Sequence, residues 1–214
     1  MSIQDRKQKH KESLKREILE AAKSLFLKDG FDATSIRKIA QKIDISPTTI
    51  YLYYKDKAEI AFSLHVEGFK KLSEFFIAIN NIENPMERLK AMGKTYIQFA
   101  LENQDYYELM FINKEPLCFV KENMQDGEWK EGENAFHALV SNIKACQLVG
   151  FFPKQDPYAM ALMVWSTMHG MCSLQLHGHI SFIAEDKEAF ADFTLKDVIN
   201  DIFKTFIQIL ESFK

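Results

Sequence analysis

The hydrophobic pattern of this chain is helical almost throughout, and no stretch alternates as a half-buried strand does. Leu14, Ile18, Ala21, Ala22 and Leu25 lie on one stripe of 3.6-residue period, which predicts a first amphipathic helix. Gly30 is its stop, because glycine takes a left-handed cap without a Cβ clash. Thr34 or Ser35 can cap a second short helix through Ile36, Ile39 and Ala40. Ile43-Asp44-Ile45 reads as a tight connection in which Asp44 tolerates a left-handed backbone. Ser46 caps a third helix with Pro47 at its first position, where the missing N–H costs nothing. A fourth helix starts at Asp56, with Glu59 three residues on as in a capping box, and runs to about Ile79.

Further helices follow. Asn84-Pro85 opens one that ends near Asn103, and Asp105 starts a short one through Met110. Pro116 and the charged stretch from Lys121 to Glu133 read as a loop, with a helix from Ala135 to Val149 beyond it. Asp156-Pro157 begins the next. From Pro157 to Ala184 there is no Asp, Glu, Lys or Arg, and Ala159 to Trp165 is apolar on every helical face. Such a helix is expected to be buried all round, with a transmembrane span as the rival reading. In the last helix Leu195, Ile199, Ile202, Phe206, Ile209 and Phe213 step by 4, 3, 4, 3, 4, and Val198, Phe203, Ile207 and Leu210 widen the seam. The surplus apolar face on both helices predicts a homodimer through Trp165, His169, Gly170, Ile199, Ile202, Phe206, Ile209 and Phe213; a thick single-chain core is the alternative.

Composition agrees with an all-α fold. The 214 residues are 47% hydrophobic and 27% charged, with too few glycines (8) and prolines (5) for a turn-rich β architecture. The N-terminus is charged where a signal peptide would be apolar, and Cys118, Cys146 and Cys172 are odd in number and form no CxxC pair. A cytoplasmic protein with reduced thiols is expected. His177-x-His179 near Cys172 lacks a recognised ligand spacing, so no metal is expected, and no cofactor either. No GxSxG, phosphate-cradling loop or HExxH occurs, so no reaction can be named and an enzyme is not expected.

Charge changes the picture. The net −3 divides into +5 over residues 1–57 and −8 over 58–214. A basic head on an acidic body suits contact with phosphates at one end; chance clustering of surface lysines is the bland alternative. Residues 36–60 fit a helix-turn-helix whose second helix enters the major groove. Pro47, Thr48 and Thr49 at its start would meet base edges, through thymine methyls and the Thr48 hydroxyl. Arg37 could fork onto guanine, while Ser46, Tyr51 and Tyr53 offer donors to phosphate. Arg37, Lys38 and Lys57 fall in first helical turns, where the helix dipole disfavours cations, so an outside anion would supply the compensation; cheap toleration of exposed lysines is the alternative.

Gly30, Thr34, Ile39-Ala40, Ile45-Ser46, Thr49-Ile50-Tyr51, Tyr53-Tyr54 and Lys55 to Ile60 together resemble the N-terminal domain of TetR-family transcriptional regulators over roughly residues 11–62. Asp44 departs from the family's usual glycine, and Pro47-Thr48 prevents transfer of an operator sequence. The resemblance implies DNA contacts from Arg37, Ser46, Thr48, Thr49, Tyr51, Tyr53 and Lys57. Asp105 to Phe111 and Trp165 to Gly170 resemble the subgroup with a Trp…His-Gly signature in its body. The resulting plan is a flexible basic arm (1–10), a helix-turn-helix domain (11–57) and a helical ligand-binding and dimerisation domain (58–214). A small, mainly apolar inducer would sit among Tyr96, Phe99, Met110, Phe111, Met163 and Trp165 and release a repressor from double-stranded operator DNA, with the fourth helix as coupling rod. A helical protein-interaction module without DNA binding is the competing reading.

Overall fold

The computed structural model describes residues 2–114, 116, 118–119, 130–185 and 197–214. Among them every regular element is helical: α1 (Ile3–Asp29), α2 (Ile36–Lys42), α3 (Pro47–Tyr51), α4 (Lys57–Ile77), α5 (Pro85–Glu102), α6 (Gln104–Tyr107) continued by a π turn (Glu108–Ile112), α7 (Lys130–Leu148), α8 (Pro157–Leu176), α9 (His179–Glu185) and α10 (Val198–Glu211). The chain forms two compact units, Met1–Lys70 with Asp105–Glu131, and Lys71–Gln104 with Gly132–Lys214.

The first unit closes around Ile18, Ala22, Ile39, Ile50, Ile60 and Leu64, all essentially without exposure. Local chemistry sets its helix ends. Ser35 caps α2 through the Lys38 amide, and the Thr34 hydroxyl instead donates to the Gly30 carbonyl at 2.8 Å. Gly30 has φ 84° and ψ 162°, a positive-φ region that favours glycine but lies outside the left-handed helical well. Asp56 caps α4 by accepting from the Glu59 amide, while the Glu59 carboxylate takes the Lys55 amide.

The second unit packs α5 on α8, and α8 on both α9 and α10. Asn84 and Asp156 each cap a helix with proline at its first position, α5 and α8. Gly93 in α5 lets Phe203 of α10 approach so closely that a Cβ would stand 2.7 Å from the ring.

Several expectations change. Residues 3–10 are helical and not a free arm, because the Ser2 hydroxyl accepts from the Asp5 amide and the Asp5 carboxylate accepts from the Ser2 amide. Pro116 and Lys130 to Glu133 are helical and not loop; residues 120–129 and Leu195 lie outside the described residues. The short helix from residue 104 ends in a π turn, a packing-dependent insertion that a 3.6-residue pattern does not announce. No helix among the described residues is long and apolar enough to cross a membrane, so the spanning reading of α8 falls. Within one chain α8 is not buried all round either: Leu162, Met163 and Leu174 are exposed.

Candidate functional site

The head places α2 and α3 on either side of a turn made by Ile43, Asp44 and Ile45. Asp44 has φ 53°, the left-handed conformation that its short polar side chain tolerates. The Ile45 amide donates to the Ala40 carbonyl at 3.0 Å, which closes the turn. The Ser46 hydroxyl accepts from the Thr49 amide at 3.1 Å and is bonded to the Thr49 hydroxyl at 2.8 Å. Ile50 fixes α3 to the core with no exposure. Thr48 is therefore left exposed on the outer face, with Tyr51 57% exposed one turn on. Pro47 and Thr49 are half-buried beside them, as is Tyr53.

The cations divide. Arg37 is exposed at the start of α2, and its guanidinium has no hydrogen bond or ion pair among the described residues. Lys38 donates to the Ala33 carbonyl at 2.8 Å and faces the Asp29 carboxylate at 3.6 Å. Lys57 donates to the carbonyls of Phe31 and Thr34 at 2.6 and 2.8 Å, and its ammonium lies 4.0 Å from the Phe31 ring centroid. The dipole penalty at Lys57 and Lys38 is thus met inside the head. Of the three first-turn cations, Arg37 is the one left for an outside anion.

A second constellation in this unit has no local sequence signal. Lys23 of α1 bridges Glu20 at 3.0 Å and Asp105 at 3.1 Å, and lies over the Tyr106 ring. Tyr106 donates to the Glu67 carboxylate of α4 at 2.7 Å. Burial disfavours the Lys23 charge, but the bonds to Glu20 and Asp105 outweigh it and hold its pKa above the usual range. Burial, aided by Glu67, pushes the Tyr106 phenol up as well. His65, fully buried in α4 between Phe62 and Phe69, is lowered by burial to about 4, against the opposing effect of a bond to the Leu109 backbone.

The six residues expected around one ligand are divided between the two units. Met110 and Phe111 belong to the first unit, where Met110 packs on Gly68 and Phe111 on Phe69 and Tyr107. In the second unit Phe99 is wholly buried against Phe75, whereas Met163 is 42% exposed. Tyr96 and Trp165 do meet: the indole N–H donates to the Tyr96 hydroxyl at 3.4 Å, and that hydroxyl is 3.3 Å from His169 Nδ1. Burial lowers the His169 pKa. A cleft of about 240 Å³ in the second unit is lined by other residues, among them Phe76, Arg88, Met92 and Asn142.

Of the expected pairing residues, Ile202, Ile209 and Phe213 are exposed, Ile199 is half-buried, and Gly170 faces open space. Phe206 is buried in its own chain's core and so leaves that surface. His177 bonds to the Ser173 carbonyl, and no group of three or more His, Cys, Asp or Glu able to hold a metal occurs among the described residues. The three cysteines are unpaired, with burial raising Cys146 to about 11 and Cys172 to about 12.

The comparisons agree with this geometry. A family model described as bacterial regulatory proteins, tetR family, matches residues 18–64. One described as tetracyclin repressor-like, C-terminal domain, matches residues 89–198. The chain is 26% identical over 161 residues to the HTH-type transcriptional regulator HbdR of Aromatoleum sp. (strain CIB), covering 74% of this chain and 68% of that one. A solved structure of AibR in complex with isovaleryl coenzyme A and operator DNA aligns with TM-score 0.65 at 17% identity, over 92% of this chain and 97% of that one. The fatty acid degradation regulator FadR from Bacillus halodurans aligns with TM-score 0.63 at 16% identity, over 90% and 94%. With its left-handed turn, its exposed α3 face and two matching family models along its length, this chain belongs to the tetR family of bacterial regulatory proteins.

Proposed function

We propose that the chain is a homodimeric, cytoplasmic transcriptional repressor that grips operator DNA with two copies of the α2–α3 head and is released by a small ligand in its helical body. The observation that carries this reading is the division of labour in the head. Ile50 and the Asp44 turn fix α3, Thr48 and Tyr51 stand exposed on its outer face, and the guanidinium of Arg37, at the start of α2, has no partner among the described residues. Thr48 and Pro47 offer a hydroxyl and apolar contact to base edges, Arg37 a fork for guanine, and Tyr51, Tyr53, Ser46 and Thr49 donors to phosphate.

Pairing is supported by the apolar surface of two helices that pack on each other. Leu162, Met163 and Leu174 on α8 and Ile202 and Ile209 on α10 remain exposed in one chain, with Gly170 open between turns. Two-fold pairing would set two heads on half-sites about 34 Å apart. An acyl ligand is in keeping with AibR, whose solved complex holds isovaleryl coenzyme A with operator DNA. Sedimentation equilibrium together with gel retardation of genomic fragments tests the reading. A dimer at micromolar concentration that retards a defined fragment supports it. A monomer that retards none would falsify it and favour a protein-interaction module.

A further inference from the structure

The second unit holds a half-buried guanidinium whose partners among the described residues are all neutral. Arg88 Nε donates to the Asn142 Oδ1 at 2.6 Å, and Nη1 donates to the Ile82 carbonyl at 2.9 Å. Asn142, itself 4% exposed, donates onward to the Pro85 carbonyl at 3.0 Å, so Arg88 is held in place from both sides. These bonds use two of five N–H donors, and no carboxylate of the described residues forms an ion pair with the group. Its charge persists at any physiological pH. A permanent cation that is positioned, partly desolvated and unneutralised is costly unless an anion visits it.

What lies beside it sets the rest of that visitor. Arg88 lines the 240 Å³ cleft together with Phe76, Ile79 and Met92 on one hand and Ser141 and Asn142 on the other. At roughly 30 Å³ of liquid volume per small group, this is room for about eight heavy atoms. The three apolar side chains offer a tail surface, with Met92 able to adapt to its shape. The Ser141 hydroxyl adds a donor or acceptor at the polar end.

We infer that this cleft binds a small amphipathic anion, its charged head on Arg88 and its aliphatic tail along Phe76, Ile79 and Met92. The inference deepens the ligand-response reading, and only its link to DNA release rests on that reading. A free medium-chain carboxylate has this chemistry, whereas the acyl end of a coenzyme A conjugate is a neutral thioester that brings no charge to Arg88.

Calorimetric titration of the full chain with hexanoate, hexanoyl-coenzyme A and 1-hexanol tests this. Hexanoate binds, and hexanoyl-coenzyme A and hexanol bind at least about tenfold more weakly because neither brings a charged head to Arg88. Arg88→Gln lowers the affinity for hexanoate about tenfold or more, as expected for the loss of a charge-assisted bond. Because Arg88 also pins the Ile82 loop, Ala138→Trp provides an independent test: it fills the cleft from an exposed position of α7 and should abolish binding with the circular dichroism melt unchanged. Equal affinity for hexanol, unchanged binding in both variants, or no binding of hexanoate overturns the site. Gel retardation without ligand, run on the same samples, reads the DNA-binding proposal separately.

Discussion

The Lys57 ammonium lies 2.6 Å from the carbonyl oxygen of Phe31 and so ties the start of α4 to the loop that follows α1. Together with the Thr34 carbonyl and the Phe31 ring, this occupies the cation that the family resemblance assigns to DNA. Lys57→Ala should therefore lower stability, by about 1.5–3 kcal/mol for lost bonds to a charged donor. Urea unfolding measures this, and the salt slope of DNA binding by the folded variant should stay at the wild-type value. A slope reduced by one phosphate with no change in the urea midpoint would return Lys57 to the DNA surface.

Arg37 makes the opposite prediction. With no partner for its side chain among the described residues, its removal should leave stability within about 0.5 kcal/mol of wild type, as for an exposed site away from special contacts. Arg37→Ala and Thr48→Ala should each relax preference at one operator position, by about 1–3 kcal/mol for a base-edge contact. Competition between matched and singly mismatched duplexes reads this directly. Equal losses on both would make the contact one to the backbone.

The buried His65 gives the fold a pH dependence with a definite sign. Its folded pKa of about 4 lies below the ordinary value of 6.5, so between these two values the unfolded chain binds more protons. Stability is then fully present above pH 6.5 and is lost as pH falls towards 4, on the order of 3 kcal/mol for a shift of this size. His169, also lowered, adds in the same direction. His65→Gln should flatten the decline of the urea midpoint over that window, and an unchanged decline would assign it to other groups.

Gly93 reports on the packing of the second unit. A Cβ there would meet the Phe203 ring at 2.7 Å, and that ring is 4% exposed with little room to yield. Gly93→Ala should destabilise by about 1–3 kcal/mol through overpacking, in spite of alanine's better helix propensity. Phe203→Leu in the same chain should recover part of the loss. A thermal melt in which Gly93→Ala alone is as stable as wild type would contradict the close α5–α10 contact.

What the sequence made legible was governed by local rules. The Asp44 turn, the Ser46 cap with Pro47, and the Asn84-Pro85 and Asp156-Pro157 helix starts each depend on neighbours a few positions apart. The α7 start at Lys130 was hidden because Lys130-Glu131-Gly132-Glu133 carries the composition of a loop. The partners of Lys57 lie 26 and 23 residues away, Asn142 lies 54 residues from Arg88, and Asp105 lies far along the chain from Lys23. Such pairs follow from tertiary packing, which periodicity does not encode. For the same reason the burial of Phe99 and Met110 and the packing of Phe111 on Phe69 are not legible from aromatic and methionine positions alone.

The central claim is that the α2–α3 face of this chain meets duplex phosphates and bases. Fluorescence anisotropy of a selected genomic duplex, titrated with the full chain across a series of salt concentrations, tests it most directly. The account predicts a linear fall of log K with log salt, about −0.9 per phosphate neutralised over several phosphates, and a shallower line or lost sequence preference for Arg37→Ala. A line of zero slope, or an Arg37→Ala variant indistinguishable from wild type in both slope and preference, would contradict it.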